Sequence, residues 1–364
     1  MKHYFLGEAA GYSRKARLHH TFTIGRAKDS AALRHHLAHR YFAAEESVAL
    51  TKNGRSALAL ALKITLPKRS KIIVNAFTCY AVVEAIRAAD CIPIFADIDE
   101  STLNFTTKTI EKVLTEDTKA IIIQNTFGNP VDIKAIEKLA KIHDLKLIED
   151  LAHCAGFKYS DGREVGTVGI ATALSFGKDK SIDTISGGAV IIRDPLYGPI
   201  GARTLAPKFS DTFRARFYPL FGAIYRTLSY IKLEKAWMWL LLKLHFVERS
   251  ADNSLDLERR PAHFEAKLAL EKFQKLSPRR PLRDYRLVNN REVVLEKLRE
   301  AGYFFDGFWY EKPVSPARYY HKVHFPEADC PVAMAVSNSI INFPNYYPKK
   351  SLSKAYKIVE EYQK

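Results

Sequence analysis

From Gly54 to Ile192 the chain switches repeatedly between two kinds of apolar pattern. SALALALKI, YAVVEAIRAAD, TKTIEKVL and DIKAIEKLAKIHD carry apolar residues at helical spacing. Between them KIIVNAF, IPIFADI, KAIIIQNTF and KLIEDL are short continuous apolar runs with the length of strands, and GGAVII closes the series. Strands and helices alternating at these lengths predict an α/β protein with a mostly parallel sheet covered by helices on both faces. The unbroken apolar strand cores agree, since such strands are buried on both sides. In sheets of this kind ligands bind beyond the carboxyl ends of the strands. The polar residues that follow each strand are therefore the first candidates for function.

Residues 203–250 differ in character. Arg214, Arg216, Arg226, Lys232, Lys235 and Lys243 are interleaved there with Phe217, Phe221, Trp237, Trp239 and leucines. A basic amphipathic helix pair with tryptophans suits a membrane surface; a helical insert packed on a neighbouring lobe or covering the site explains the same residues. Beyond it, EAKLALEKFQKL, REVVLEKLREAG and SLSKAYKIVEEYQK predict helices and SIINFPNYY a strand, which together make a smaller α+β lobe. The expected division is an N-terminal arm over 1–30, a large domain over 31–202, a basic helical insert over 203–255 and a small C-terminal domain over 256–364.

Composition narrows the possible partners. The 364 residues carry a formal charge of +16, and 47% of them are hydrophobic. That is enough apolar content for a packed core, and it excludes a disordered or collagen-like chain. The positive balance favours anionic partners such as phosphorylated metabolites or an anionic membrane. No nucleic-acid motif appears and the charge is spread, so nucleic acid is not an expected partner. Cys79, Cys91, Cys154 and Cys330 have no metal-ligand spacing and read as reduced thiols. No metal site, signal peptide or membrane-spanning run is expected, which suggests a cytoplasmic protein.

Three stretches after strands carry chemistry. NGRSALALAL opens a helix with small residues, and exposed amides at a helix start attract anions; Gly54 lets a ligand approach the backbone and Ser56 adds a hydroxyl. A plain helix cap accounts for that stretch equally well when it is taken alone. LIEDLAHCAG places Asp150 at a strand end, with His153 three residues on. LSFGKDKSIDTISGGAVII places Lys178 and Lys180 in a turn between Ser175–Phe176 and an apolar strand, where an amine's pKa is depressed and it can act as a nucleophile; two surface lysines in a loop explain the same residues when the stretch is taken alone. A phosphate cradle, a carboxylate and a lysine in this order match the needs of pyridoxal 5'-phosphate (PLP).

These stretches and those between them resemble the DegT/StrS family of PLP-dependent sugar aminotransferases, which have the aspartate-aminotransferase fold, fold type I. NGRSAL resembles the family's phosphate loop, VNAFTCYAVVEAI, FADIDESTLNF and NTFGNPVDI its strand ends, IEDLAHCAG its Glu-Asp-Ala-Ala-Gln/His signature, and LSFGKDKSIDTISGGAV its Ser-Phe, lysine, Gly-Gly-Ala segment. The resemblance implies a mostly parallel seven-stranded sheet with PLP bound to the large domain. It selects Lys180, five residues after Ser175, as the lysine that carries the cofactor. It implies that Asp150 pairs with the pyridine nitrogen, His153 with the phenolate oxygen, Ser175 with the phosphate, and the amides of Arg55 and Ser56 with the same phosphate, which Gly54 lets approach the backbone. Cys79 stands where an aromatic residue usually stacks on the ring, and Tyr80 beside it is the alternative cover. Ser186 stands where an acid usually precedes the glycine pair. Arg55 replaces the usual threonine and is expected to add charge to the site. An asparagine that the family sends across the subunit interface has no evident counterpart; Arg259, Arg260 and His263 lie in that region.

The activity implied is transfer of an amino group from an amino acid, L-glutamate, to a nucleotide-activated keto-sugar for cell-envelope polysaccharide or amino-sugar biosynthesis. A homodimer is implied as well, cytoplasmic or held at the inner membrane surface through 203–250. Family members that act as sugar dehydratases carry histidine in place of the lysine, so Lys180 favours transamination. The alternatives are a dehydratase and a non-catalytic binding or regulatory protein.

Overall fold

The computed structural model describes residues 4–5, 12–200, 205–248, 255–276, 281–305, 309–345 and 347–363. Parts of the expected arm (1–3 and 6–11) and of the expected insert (203–204 and 249–254) lie outside them. The main sheet has seven strands: β2 (Val48–Thr51), β3 (Lys71–Asn75), β5 (Ile92–Ala96), β6 (Thr118–Ile123), β7 (Lys146–Asp150), β8 (Ala171–Ser175) and β9 (Gly188–Ile192). Their spatial order is β2-β9-β8-β7-β6-β3-β5. Only β9 runs against its neighbours; the other pairings are parallel. This is the mostly parallel sheet that the sequence predicts.

Strand periodicity divides the interior into two cores. Ile72, Val74, Ile122, Ile148 and Val190 face one side, where α3 (Gly54–Thr65) and α4 (Tyr80–Ala88) pack. Ile73, Ile121, Ile123, Leu147 and Ile191 face the other, under α2 (Ala27–Arg40) and α6 (Ile133–Ile142). Helix α3 is apolar on every side and lies buried from Arg55 to Leu62, as a helix enclosed between sheet and helix must be. Asn53 caps it, its side chain accepting from the Ser56 N–H at 2.8 Å. TKTIEKVL, read as a full helix, yields only the five residues of α5 (Thr107–Glu111).

The smaller lobe is built on antiparallel β10 (Arg283–Leu287) and β13 (Ile340–Pro344), covered by α10 (Arg291–Glu300) and α12 (Ser353–Glu360), with α11 (Pro331–Ser339) returning toward the first core. Three short pairings tie distant segments: β1 (Tyr4–Phe5) to β11 (Tyr303–Phe304), and β4 (Thr78–Cys79) to β12 (Val314–Ser315), both parallel; and Asn53 to Gly187. Helix α9 (His263–Gln274) contributes Ala266, Ala269 and Phe273 to the second core beside α2. The large core thus draws on residues beyond the expected boundary at 255/256.

The basic segment forms a helical hairpin, α7 (Phe209–Leu228) and α8 (Glu234–Lys243). α7 lies on α1 (Arg14–Phe22), where His20 Nε2 pairs with the Ala215 carbonyl at 2.9 Å. Arg216 donates to the carbonyls of Thr21 and Thr23 at 2.8 and 3.0 Å and lies over the Phe264 ring at 4.1 Å. α8 folds back on α7, with the Trp237 indole N–H donating to the Phe221 carbonyl at 3.3 Å. No helix among the described residues is long and apolar enough to cross a membrane.

Candidate active site

The acid pair at the end of β7 is split by strand alternation. Glu149 is fully buried and accepts from the Tyr159 hydroxyl at 2.7 Å and from the amides of Gly166, Val168 and Gly169 at 2.7 to 2.8 Å. It is an anchor for the loop that leads into β8. Asp150 points the other way and accepts the Ala152 N–H at 3.0 Å. Burial raises its pKa above the ordinary aspartate value, opposed by the Ala152 amide and by Lys180.

His153 receives the Phe127 N–H on Nδ1 at 3.3 Å. Burial, then the charges of Lys180 and Arg283, hold its pKa well below the ordinary value, so the ring is neutral. With Nδ1 accepting, the proton sits on Nε2 and that nitrogen is a donor.

The two lysines of the turn part company. Lys178 places its amine 4.4 Å from the Tyr218 ring on α7. Lys180 places its amine 4.4 Å from the ring centre of Trp309. Burial pulls the Lys180 pKa below the ordinary lysine value, with Cys79 and Asp150 acting against it and Arg283 with it. The amine, Asp150, His153 and Cys79 thus share one locality. Asp183 fixes the turn: one carboxylate oxygen accepts the Asp179 N–H at 3.1 Å and the Tyr12 hydroxyl at 2.6 Å, and the other accepts the Ile185 N–H at 3.0 Å.

Ser175 ends β8 directly under the start of α3. A Cβ on Gly54 would fall 2.4 Å from the Ser175 Cβ and 2.7 Å from its hydroxyl. Only glycine allows this approach, and it leaves the helix start and the hydroxyl as a cradle for an anion. A heteroaromatic aldehyde phosphate needs an anion cradle, a carboxylate, a neutral donor and an amine of lowered pKa; these residues supply all four, so they fit PLP.

Other expected site residues are committed elsewhere. The Ser56 N–H is taken by the Asn53 cap, and its hydroxyl accepts the Asp256 N–H at 3.2 Å. An asparagine cap meets the orphan amide that the reading assigned to phosphate. The Arg55 guanidinium forms an ion pair with Glu84 on the adjacent α4. Tyr80 stacks on Tyr319, with centroids 4.8 Å apart and planes at 11°. Cys79 caps α4.

Sequence reading missed the aromatic wall. Trp309 stacks on His153 at 5.3 Å and 23°, and the Arg283 guanidinium lies over the same indole at 4.1 Å. Asn342 fixes both, accepting from Arg283 at 3.0 Å and donating to the Trp309 carbonyl at 2.8 Å. Glu265 was missed as well. It reaches from α9 to the hydroxyl of Ser186 and accepts the Ala262 N–H at 2.8 Å, putting a carboxylate next to the position where one was expected in the chain. Aromatic density in FWYEKP was the one available signal for Trp309. Of the three residues considered for the interface, Arg259 pairs with Asp256 at 3.2 Å, and His263 Nδ1 lies 2.7 Å from Ser30 and 3.3 Å from Arg260.

Comparison with known proteins places these features. The chain is 39% identical to GDP-perosamine synthase of Escherichia coli O157:H7 over 143 residues, 39% of each chain. It is 38% identical over 141 residues to a pleiotropic regulatory protein of Geobacillus stearothermophilus, 38% of each. The chain thus spans about two fifths of the length of these curated relatives. In structure it superposes on the putative sugar aminotransferase Spr1654 of Streptococcus pneumoniae in its PMP form, with a TM-score of 0.68 over 99% of this chain and 97% of that one, at 16% identity. Residues 19–199 match the family model that covers β2 to β9, and with them Asp150, His153, Ser175 and Lys180: the chain belongs to the DegT/DnrJ/EryC1/StrS aminotransferase family.

Proposed function

We propose that the protein is a PLP-dependent aminotransferase that moves an amino group from an amino acid, L-glutamate, to a keto-sugar carried on a nucleotide. The observation that carries this reading is the Lys180 amine, 4.4 Å from the ring of Trp309, which itself stacks on buried His153, with Asp150 buried at the end of β7. When bound, PLP supplies an electron sink for the pair of electrons left at the donor carbon.

The protein residues do the rest. Lys180 would hold the cofactor, and its amine, when free, would serve as the base that takes the proton from the donor carbon and as the acid that gives it back. Its lowered pKa keeps more of the amine unprotonated near neutral pH, as a base requires. Asp150 would hold a proton on the ring nitrogen, and the Nε2–H of His153 would donate to the phenolate oxygen. Ser175 and the start of α3 would bind the phosphate.

The charge of +16 supports an anionic sugar nucleotide as acceptor. A homodimer acting in the cytoplasm, in amino-sugar or cell-envelope polysaccharide synthesis, belongs to the same proposal. The test is the visible absorbance of the purified protein with PLP. A yellow band that bleaches on addition of L-glutamate, and is missing in Lys180→Ala, supports it. A protein that gains no band with added PLP contradicts it and leaves a binding role.

A further inference from the structure

We propose that the α7–α8 hairpin docks on the surface of an anionic lipid bilayer. This goes beyond the reading of the active site and rests on other residues. The inner face of α7 is used up against α1, Phe264 and Lys178, as described above. The outer end of the hairpin, α8 and the turn before it, is not. Ile231 is 62% exposed and Leu233 50% in the turn, Trp239 61% midway along α8 and Leu244 49% at its far end. Large apolar side chains exposed along the length of one helix are surface that water does not favour.

The charges on that end have one sign. Lys232, Lys235 and Lys243 are exposed, and Lys235, Trp239 and Lys243 follow one another at four-residue steps along α8, which places them on one face. The Lys243 amine lies 4.8 Å from the Trp239 ring. The hairpin's three carboxylates are taken up within the protein: Asp211 pairs with Lys52 and Arg214, Glu248 pairs with Arg214, and Glu234 has a buried carboxylate oxygen. An exposed tryptophan between two lysines, flanked by isoleucine and leucines, matches the boundary between headgroups and acyl chains, where the indole sits at headgroup level and the ammoniums meet lipid phosphates. The hairpin is too polar to span a bilayer, so it lies on the surface.

The full-length protein is sedimented with vesicles of phosphatidylethanolamine and phosphatidylglycerol, and separately with vesicles of phosphatidylcholine alone. Binding is expected to the anionic vesicles, weakening as salt is raised, and not to the zwitterionic ones. Each lysine near an anionic surface contributes about fivefold to partitioning, so Lys232→Glu, Lys235→Glu and Lys243→Glu together lower it by at least about a hundredfold. Trp239→Ser, a single exposed change, lowers it several-fold and stands in if the triple variant misfolds by circular dichroism. The proposal is overturned if the parent stays in the supernatant with anionic vesicles, or if the folded variants sediment as it does. A triple variant that binds vesicles normally but loses a subunit on gel filtration overturns it too, and assigns the face to a second copy.

Discussion

The amine of Lys180 lies 4.4 Å from the centre of the Trp309 indole, and Trp309 in turn stacks on His153. The small lobe thereby supplies a wall to a site whose other groups all come from the main sheet. A stacked aromatic pair is worth on the order of 1 kcal/mol, and this one holds the His153 ring in place. Trp309→Ala is therefore expected to weaken PLP binding about five- to tenfold in an absorbance titration, and Trp309→Phe to retain most of the affinity. Unchanged affinity in the alanine variant would remove Trp309 from the site.

Adjacent acids should fail in opposite ways. Glu149 is a fully buried carboxylate with four donors and an ion pair to Arg193 at 3.5 Å. Glu149→Ala strands those donors and is expected to cost about 3–5 kcal/mol in urea unfolding. Asp150→Asn should leave the unfolding midpoint almost unchanged while lowering transamination at least about a hundredfold, because it removes the group that holds the ring proton. The contrast is the test; equal losses of stability would contradict it.

The approach of Gly54 to Ser175 makes a third prediction. A methyl group there meets Ser175 Cβ at 2.4 Å and must push the helix off the strand. Gly54→Ala is expected to cost about 1–3 kcal/mol of stability and to weaken binding of PLP at least about tenfold. Titration of the variant with PLP, followed by visible absorbance, checks the second effect.

Glu265 supplies a pH dependence. Burial raises its pKa to about 7, against the hydrogen bonds from Ser186 and the Ala262 amide. The folded state binds the proton more tightly than the unfolded state does. The resulting stability is fully present below about pH 4.5 and is lost as pH rises through about 7, roughly 3–4 kcal/mol in all. Glu265→Gln keeps an acceptor for Ala262 and a partner for Ser186 without the charge. Melting temperatures should show the variant gaining on the parent from pH 5 to pH 8; parallel curves would contradict the assignment.

Legibility in the sequence followed locality. Asp150, His153, Ser175 and Lys180 sit at strand ends, in short segments whose neighbours define them, and the structure brings them together. β2 and β8, with the sequences VALT and ATALS, were absent from the series of predicted strands because half or more of their residues are alanine and threonine, which make no continuous run of large apolar side chains. Ser56, Arg55 and Tyr80 were assigned by position alone, and each found a nearer partner: Asn53, Glu84 and Tyr319. Trp309, Arg283 and Glu265 come from segments more than 75 residues beyond Lys180. No periodicity links them to the lysine turn, so only the folded chain reveals the wall and the displaced carboxylate.

The central claim is that of two lysines two residues apart, Lys180 alone is the working amine. The measurement is reduction of the PLP-loaded protein with borohydride, followed by digestion and mass spectrometry of the peptide containing both. The pyridoxyl group is predicted on Lys180, in the parent and equally in Lys178→Ala. Label on Lys178, or none on this peptide, would contradict the account.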